Sequence, residues 1–313
     1  MPESKPFISI CIPSYKRTQY LQRLLQSIAE QTFTNYEVIV SDDSNDDSVK
    51  RLMAQFEDKF SLQYHQNQTS LGTPANWNAA IEKAASEWIK LMHDDDWFAT
   101  PSALQQFADA TKQNNKLIVA NYNNIDENNI ILYKPSLSYL RKKRLLREPM
   151  ILLAENIIGQ PSVCMVHRSV TAKYNERMKW RVDIDYYMQL LHEENDFTHI
   201  QNVLINLGIG TTQVTHSCLN VPGVELPEGW LLLKKWGTKP LKNVVVYDAW
   251  WRIIRNTKTR SLDALNLYAS PWPAMIENMV RRQSKLNPSQ LQKGILSKMY
   301  MLMSYLKDRA SLR

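Results

Sequence analysis

Cysteine is scarce in this chain, whose 313 residues include only 3: Cys11, Cys164 and Cys218. An odd number at scattered positions argues against a disulfide framework and is typical of a reducing compartment. None of them forms a CxxC pair, so a Cys-rich zinc centre is excluded too. Apolar residues flank Cys11 and Cys164, which predicts that both are small buried side chains.

Glycine is also rare, with 8 residues, and neither GxGxxG nor GxxxxGK occurs. The usual dinucleotide-binding and P-loop classes are therefore poor candidates. Long hydrophobic runs are missing as well, since none approaches the roughly 20 residues of a transmembrane helix. The first residues carry no signal-peptide pattern. We expect a cytoplasmic protein, with peripheral contact at the inner face of the membrane left open.

Positive charge is concentrated in the last part of the chain. The net charge is +7; residues 1–230 carry 22 basic and 27 acidic side chains, whereas residues 231–313 carry 16 basic and 4 acidic ones. This asymmetry predicts a boundary near residues 216–230 and a tail suited to an anionic surface.

The first part of the chain alternates strand-like and helical segments. Such alternation predicts βαβ units in an α/β fold with a mostly parallel, doubly wound sheet, whose ligand lies at the carboxyl ends of the strands. The predicted strands cover 7–13, 37–41, 62–65, 87–92 and 117–122, and the predicted helices cover 20–29, 76–85 and 101–114.

Beyond residue 216 the strand signals fade and tryptophans become frequent. Residues 290–309 have apolar side chains at helical spacing with lysines between them, which predicts an amphipathic helix. This helix and the pair Trp250 and Trp251 can contact a membrane surface, pack on the rest of the protein, or join a second subunit. We predict one domain at 1–215 and a basic, mainly helical region at 216–313.

Acidic residues cluster where two predicted strands end. Asp42 and Asp43 follow the second strand, and Asp94, Asp95 and Asp96 follow the fourth. Adjacent carboxylates repel one another unless a cation or solvent screens them, and Mg²⁺ or Mn²⁺ prefers oxygen ligands. A solvated turn with an N-capping aspartate is the plainer alternative. Farther along, Asp183 near a helix start can be a cap or a general base.

Several segments resemble one known family. ISICIPSYKR at 8–17, YEVIVSDDS at 36–44 and WIKLMHDDD at 88–96 resemble strands of family 2 glycosyltransferases, which are inverting enzymes with a GT-A fold. Further segments resemble the family in the same order at 24–33, 71–81, 158–162 and 182–185. The resemblance covers about residues 6–215.

The resemblance implies a role for each matching residue. Pro13, Tyr15 and Arg17 would line the nucleotide pocket, with Tyr15 near the base. Asp42, Asp43 and Asn76 would also contact the donor. Of these, Asp43 matches the aspartate that hydrogen-bonds the base. Asp94, Asp95 and Asp96 match the DxD region and are all candidate metal ligands. Asp96 or Asp95 would bind the metal, and another of the three would contact the ribose or sugar of the donor. Asp183 matches the catalytic base, but the glutamate usual before it is Val182 here, so Asp185 is an alternative base.

These matches predict a glycosyltransferase that depends on Mn²⁺ or Mg²⁺ and moves a sugar from a nucleotide-diphospho-sugar to an acceptor hydroxyl with inversion. A UDP-sugar is the favoured donor, and a surface glycan or lipid-linked acceptor is the expected partner. Two alternatives are a nucleotidyltransferase on a similar sheet and a non-catalytic nucleotide- or sugar-binding module. Nucleic acid is not an expected partner, because no recognised binding motif accompanies the basic tail.

Overall fold

The computed structural model of the protein describes residues 5–133, 137–210 and 215–310. Its strands are β1 (Ile8–Ser14), β2 (Tyr36–Asp42), β3 (Ser61–Gln66), β4 (Trp88–Leu91), β5 (Trp97–Phe98), β6 (Leu117–Asp126), β7 (Ile131–Tyr133), β8 (Cys164–His167) and β9 (Thr198–Ile209). Its α-helices are α1 (Thr18–Ala29), α2 (Ser48–Met53), α3 (Ala75–Glu82), α4 (Ala103–Ala110), α5 (Tyr139–Arg147), α6 (Val182–Glu194), α7 (Thr215–Cys218), α8 (Pro222–Trp236), α9 (Val244–Asn256), α10 (Leu262–Asn266), α11 (Ala274–Ser284), α12 (Pro288–Gln292) and α13 (Gly294–Ala310).

All the strands belong to one sheet, ordered β3-β2-β1-β4-β8-β6-β9-β5, with β7 paired to β6. The first four strands of this order run parallel, and β6 and β9 are also parallel. Antiparallel pairs occur where β8, β7 and β5 join their neighbours. The predicted α/β class is confirmed, and the sheet adds antiparallel strands that the sequence analysis does not foresee.

The buried core explains why the parallel strands form where they do. Ile8, Ile10 and Ile12 of β1 are fully buried, as are Val38 and Val40 of β2. Continuous β-branched runs of this kind suit a strand covered on both faces. Burial of all three cysteines agrees with the prediction for Cys11 and Cys164.

The elements predicted in the first 122 residues are present within a few residues of their expected bounds. The later strands β8 and β9 are absent from the sequence prediction. β9 contains Gln201, Asn202 and Asn206 among its apolar residues, so its pattern is not that of a fully buried strand.

The chain divides into two compact units. The first takes in the described parts of 1–146, 157–176 and 185–211, and so holds the whole sheet. The second takes in 147–156, 177–184 and the described part of 212–313. The predicted boundary between 215 and 216 stays a prediction.

The second unit is helical and has its own core. Trp250 and Trp251 of α9 are fully or almost fully buried, so these tryptophans pack inside the unit and are not exposed for membrane contact. The predicted helix 290–309 is divided at Lys293 into α12 and α13. Among the described residues, no helix has both the length and the apolar composition needed to cross a bilayer.

Candidate active site

The parallel strands bring the predicted donor residues to one edge of the sheet. Ser14 at the end of β1 is in register with Asp42 at the end of β2, and Cys11 is in register with Leu91 of β4. Because carboxyl ends of parallel strands share an edge, the segments that follow β1, β2 and β4 begin side by side.

Arg17 links the segment after β1 to the acidic residues after β4. Its Nη1 donates to Asp95 Oδ2 at 3.0 Å, and its Nη2 pairs with Asp94 Oδ1. Asp94 is 2% exposed. Burial and the neighbouring charge of Asp95 raise the pKa of Asp94 to about 7, although Arg17 lowers it. A cationic side chain thus already offsets part of the repulsion within the triplet.

Asp96 has one satisfied and one unsatisfied carboxylate oxygen. Its Oδ1 accepts from the Gly208 backbone N–H at 3.1 Å. Its Oδ2 is buried without a hydrogen-bond partner among the described residues. Burial, and then the charge of Asp95, raises the pKa of Asp96 well above its usual range. An unpaired buried carboxylate oxygen is costly, and a cation is the partner that would relieve this cost.

His93 lies beside that oxygen and completes a possible ligand set. Its Nδ1 is 4.0 Å from Asp96 Oδ2, and the candidate ligand atoms of His93, Asp95 and Asp96 all lie within 4.8 Å of one another. Burial lowers the pKa of His93 to about 4, so the imidazole is neutral at pH 7, the form that ligates metals. The donor set fits a divalent cation.

Buried polar residues that the sequence analysis does not foresee support the acidic turn. Lys90 of β4 is fully buried and donates to the Ser162 carbonyl, and the Ser162 hydroxyl accepts from the His93 backbone N–H at 2.9 Å. Burial lowers the pKa of Lys90 to about 7. A lysine inside an otherwise apolar strand is the available sequence signal.

Arg23 and Gly208 contact the backbone of the acidic turn at Asp95. Arg23 Nη2 donates to the Asp95 carbonyl at 2.9 Å, and the Arg23 guanidinium carbon is 3.6 Å from the centre of the Trp97 ring. A Cβ at position 208 would be 2.4 Å from the Asp95 carbonyl oxygen. Only glycine fits this approach, so Gly208 is part of the site.

Asp43 is the anchor of the segment between β3 and α3. Its carboxylate accepts from Asn67 Nδ2 at 2.7 Å and from the backbone N–H groups of Leu71 at 3.0 Å and Gly72 at 2.8 Å. Asp42 accepts from the Tyr64 hydroxyl at 2.8 Å. Both aspartates therefore organise the loops at this edge of the sheet, and recognition of the base by Asp43 stays a prediction.

Pro13, Tyr15 and Asn76 lie at the same edge with different exposure. Pro13 is buried at the end of β1 and Tyr15, just beyond it, is 52% exposed. Asn76 is buried and donates to the Ser41 carbonyl at 3.0 Å. Tyr15 thus presents a ring to solvent, while Asn76 ties α3 to β2.

Asp183, the predicted base, belongs to the second unit. Its Oδ2 accepts from Asn156 Nδ2 at 2.6 Å, and its Oδ1 accepts from the Ile184 backbone N–H at 2.8 Å. Burial raises the pKa of Asp183 to about 6, against these hydrogen bonds. A carboxylate with this pKa can take up a proton near neutral pH.

A buried acidic pair of α8 holds the segment just before Asp183. The Glu228 carboxylate accepts from the backbone N–H groups of Lys179, Trp180 and Arg181, at 2.6–3.1 Å. Arg181 Nη2 is 2.6 Å from Glu225 Oε2, and both side chains are almost fully buried. These glutamates were not predicted from the sequence.

Asp185, the alternative base, has a different environment. It belongs to the first unit and is fully buried. Its carboxylate accepts from Gln189 Nε2 at 3.1 Å, one turn along α6. The structure therefore assigns the two predicted carboxylates to different surroundings, of which that of Asp183 is the more accessible.

Comparison with known proteins assigns the family. The sequence model of glycosyl transferase family 2 matches residues 9–174, which is more than half of the chain. The chain belongs to this family and is a glycosyltransferase. The resemblance on which the sequence analysis relies is thereby confirmed, and the alternative of a nucleotidyltransferase is not supported.

Two relatives illustrate the range of the family. An uncharacterized glycosyltransferase of Rickettsia typhi is 26% identical over 224 residues, covering 69% of this chain and 68% of its own. The Escherichia coli UDP-Glc:alpha-D-GlcNAc-diphosphoundecaprenol beta-1,3-glucosyltransferase WfgD is 26% identical over 124 residues, covering 40% of this chain and 49% of its own.

Two solved structures share the fold. Staphylococcus aureus TarS in complex with UDP-GlcNAc superimposes with a TM-score of 0.58 at 15% identity, covering 95% of this chain and 79% of that one. The mannosyltransferase PcManGT of Pyrobaculum calidifontis, in complex with GDP-Man and Mn²⁺, gives a TM-score of 0.55 at 14% identity, covering 98% and 89%. The predicted GT-A-like fold with a helical C-terminal region is confirmed.

Proposed function

We propose that this glycosyltransferase is a divalent-cation-dependent, inverting enzyme that uses a nucleotide-diphospho-sugar donor. The observation that carries the proposal is the buried, unpartnered Asp96 Oδ2 beside His93 and Asp95 at the carboxyl end of β4. The diphosphate leaving group gains negative charge in the transition state, and an ion held by these residues would supply Lewis-acid stabilisation of that charge.

The residues of the first unit bind and orient the donor. Asp96, with Asp95 and His93, would hold the ion, Mn²⁺ or Mg²⁺. Exposed Tyr15 offers a face for the nucleobase, because aromatic rings stack on bases without base specificity. Arg17, half-exposed beside Asp94 and Asp95, is a donor for the phosphate or sugar oxygens.

Asp183 acts as the general base. It takes the proton from the acceptor hydroxyl while that oxygen forms a bond to the anomeric carbon and the bond from this carbon to the diphosphate oxygen breaks. One displacement inverts the configuration and requires no protein nucleophile, unlike a double displacement. The raised pKa of Asp183, about 6, suits uptake of this proton near neutral pH.

The relatives support a choice of substrate class. TarS was solved with UDP-GlcNAc, and the Escherichia coli relative is named for a UDP-glucose donor and a diphosphoundecaprenol-linked acceptor. PcManGT was solved with GDP-Man and Mn²⁺. We favour a UDP-sugar donor and a glycan or lipid-linked acceptor for this chain.

The test is the thermal stability of the protein with UDP, GDP, CDP and TDP, each with and without Mn²⁺. A ligand at one hundred times its dissociation constant adds about 2.7 kcal/mol to the unfolding free energy. We expect a shift with one diphosphate that requires Mn²⁺, and its loss in Asp96→Asn.

Asp109→Asn is the matched control, because Asp109 is an exposed carboxylate on α4 that pairs with Lys112. This variant should keep the full shift. A well-folded protein that responds to no diphosphate in the presence of Mn²⁺ contradicts the proposal.

A further inference from the structure

Helix α13 turns five of its large apolar side chains outward. Ile295, Met299, Leu302, Met303 and Leu306, here called the α13 stripe, are between 48% and 81% exposed. Their spacing of four, three, one and three residues puts all of them on one face of the helix. Five large apolar side chains left in water on a single face are more than scattered surface residues.

The opposite face of α13 is buried and mainly polar. Ser297, Ser304 and Asp308 are at most 2% exposed, and the apolar residue Met301 is buried with them, at 3%. Ser304 and Asp308 each lie 2.7 Å from the Tyr247 hydroxyl, and Arg282 Nη2 is 2.7 Å from Asp308 Oδ1. A helix that faces the interior with its polar side and solvent with its apolar side is the reverse of the usual arrangement.

The buried hydrogen bonds fix the rotation of the helix. Trp251 Nε1 also donates to Ser297 Oγ at 3.2 Å, and Ser297 lies at one end of the same buried face. Turning α13 to hide the stripe would leave the Asp308 carboxylate without its arginine, and an unpaired buried charge is strongly destabilising. The exposure of the α13 stripe is therefore fixed by the buried contacts on the opposite face of the helix.

The charge around the stripe has one sign. Between residues 285 and 310 the basic residues are Lys285, Lys293, Lys298, Lys307 and Arg309, and all of them are exposed. Asp308 is the one acidic residue in this range, and it is buried against Arg282. At 3.6 residues per turn, Lys298 and Lys307 lie on the two sides of the stripe. From these positions their long side chains can reach negatively charged groups on a surface that the stripe contacts.

We propose that the α13 stripe docks on an anionic lipid surface. An apolar face between lysines is the arrangement of helices that lie in the membrane interface, and each basic residue near an anionic leaflet adds to the attraction. A second copy fits less well: stable interfaces involve about 20–30 residues on each side. A two-fold contact through this face would also bring like charges together.

The experiment is co-sedimentation of the full chain with vesicles of phosphatidylglycerol and phosphatidylcholine in equal parts, and with phosphatidylcholine alone. We expect binding to the mixed vesicles, weakened by high salt, and little binding to phosphatidylcholine. Leu302→Glu combined with Leu306→Glu should lower the partition coefficient at least about tenfold. Both positions are exposed, so the melting temperature should stay close to that of the parent.

The matched control combines Ile130→Glu with Leu140→Glu, which places the same change at two exposed apolar residues of the first unit. This variant should bind the mixed vesicles like the parent. Equal binding by both double variants, or no binding by the parent, overturns the proposal. So does a parent with the mass of two chains in light scattering that becomes one chain in the α13 variant, because a second copy then covers the stripe. None of these readouts depends on nucleotide or metal.

Discussion

The Arg17 guanidinium donates to the Asp95 carboxylate at 3.0 Å, across 78 residues of sequence. The same guanidinium pairs with Asp94, so one cation partly neutralises the turn that the proposed metal would occupy. If the proposed cation binds, Arg17 and the cation would together balance the negative charge of this turn.

Arg17→Met tests this sharing. Loss of the cation should lower the unfolding free energy of the metal-free protein by about 1–3 kcal/mol, because buried Asp94 loses its partner. The stabilisation by Mn²⁺ alone should increase, because the ion then meets uncompensated carboxylates. Thermal melts with and without Mn²⁺ measure both effects. Arg51→Met, at an exposed residue of α2, should change neither, and an unchanged response to Mn²⁺ in Arg17→Met argues against the sharing.

Asp183 predicts a pH dependence. Because burial raises the pKa of Asp183 to about 6, the fraction of ionised base falls as the pH drops below 6. The value of kcat/KM should therefore fall about tenfold per pH unit on the acidic side. Asp183→Asn should reduce kcat by about a hundredfold or more while keeping the nucleotide-induced rise in melting temperature.

Asp185→Asn separates the two carboxylates. If Asp183 is the base, this variant keeps the acidic limb of the pH profile near pH 6. An acidic limb that disappears in Asp185→Asn and persists in Asp183→Asn would reverse the assignment.

Glu228 should act as a positioning residue for Asp183. Glu228→Gln weakens the anchoring of three backbone N–H groups, so we expect a loss of about 1–3 kcal/mol in unfolding free energy. Steady-state kinetics should show a lower kcat with the donor KM unchanged, a split that a general loss of structure does not produce. Glu277→Gln, which removes an exposed pair with Arg281, should cost less than about 1 kcal/mol.

Gly208 and Gly294 should respond in opposite directions to alanine. Gly208→Ala places a Cβ against the Asp95 carbonyl, which should cost about 1–3 kcal/mol and weaken the binding of Mn²⁺, because the turn must move. Gly294 has no heavy atom within 4 Å of its Cβ position and begins α13, so Gly294→Ala should stabilise by at most about 1 kcal/mol. Calorimetric titration with Mn²⁺ compares the two variants. Equal affinities would show that the approach of Gly208 does not hold the turn.

Local pattern in the sequence was sufficient for much of this protein. β-branched runs, helical spacing and the acidic residues after two strands predicted the parallel strands and the edge where Asp43 and Asp96 lie. The family resemblance supplied Asp183, and the charge count showed that the tail is basic. These features depend on neighbours in sequence, which is why a single chain reveals them.

Only the tertiary structure decided which residues contact the candidate site residues. Three contacts join residues that are dozens of positions apart in the sequence. Lys90 donates to the Ser162 carbonyl, and Gly208 packs against the Asp95 carbonyl. Glu228 accepts from the backbone of the segment before Asp183. Packing also decided between the alternatives that the sequence left open for the last helix, because Tyr247 and Arg282 bind Asp308 and hold the polar side of α13 inward. Amphipathic spacing in the sequence predicts that a helix has an apolar and a polar face. The burial of Asp308 with Tyr247 and Arg282 determines which of the two faces meets solvent.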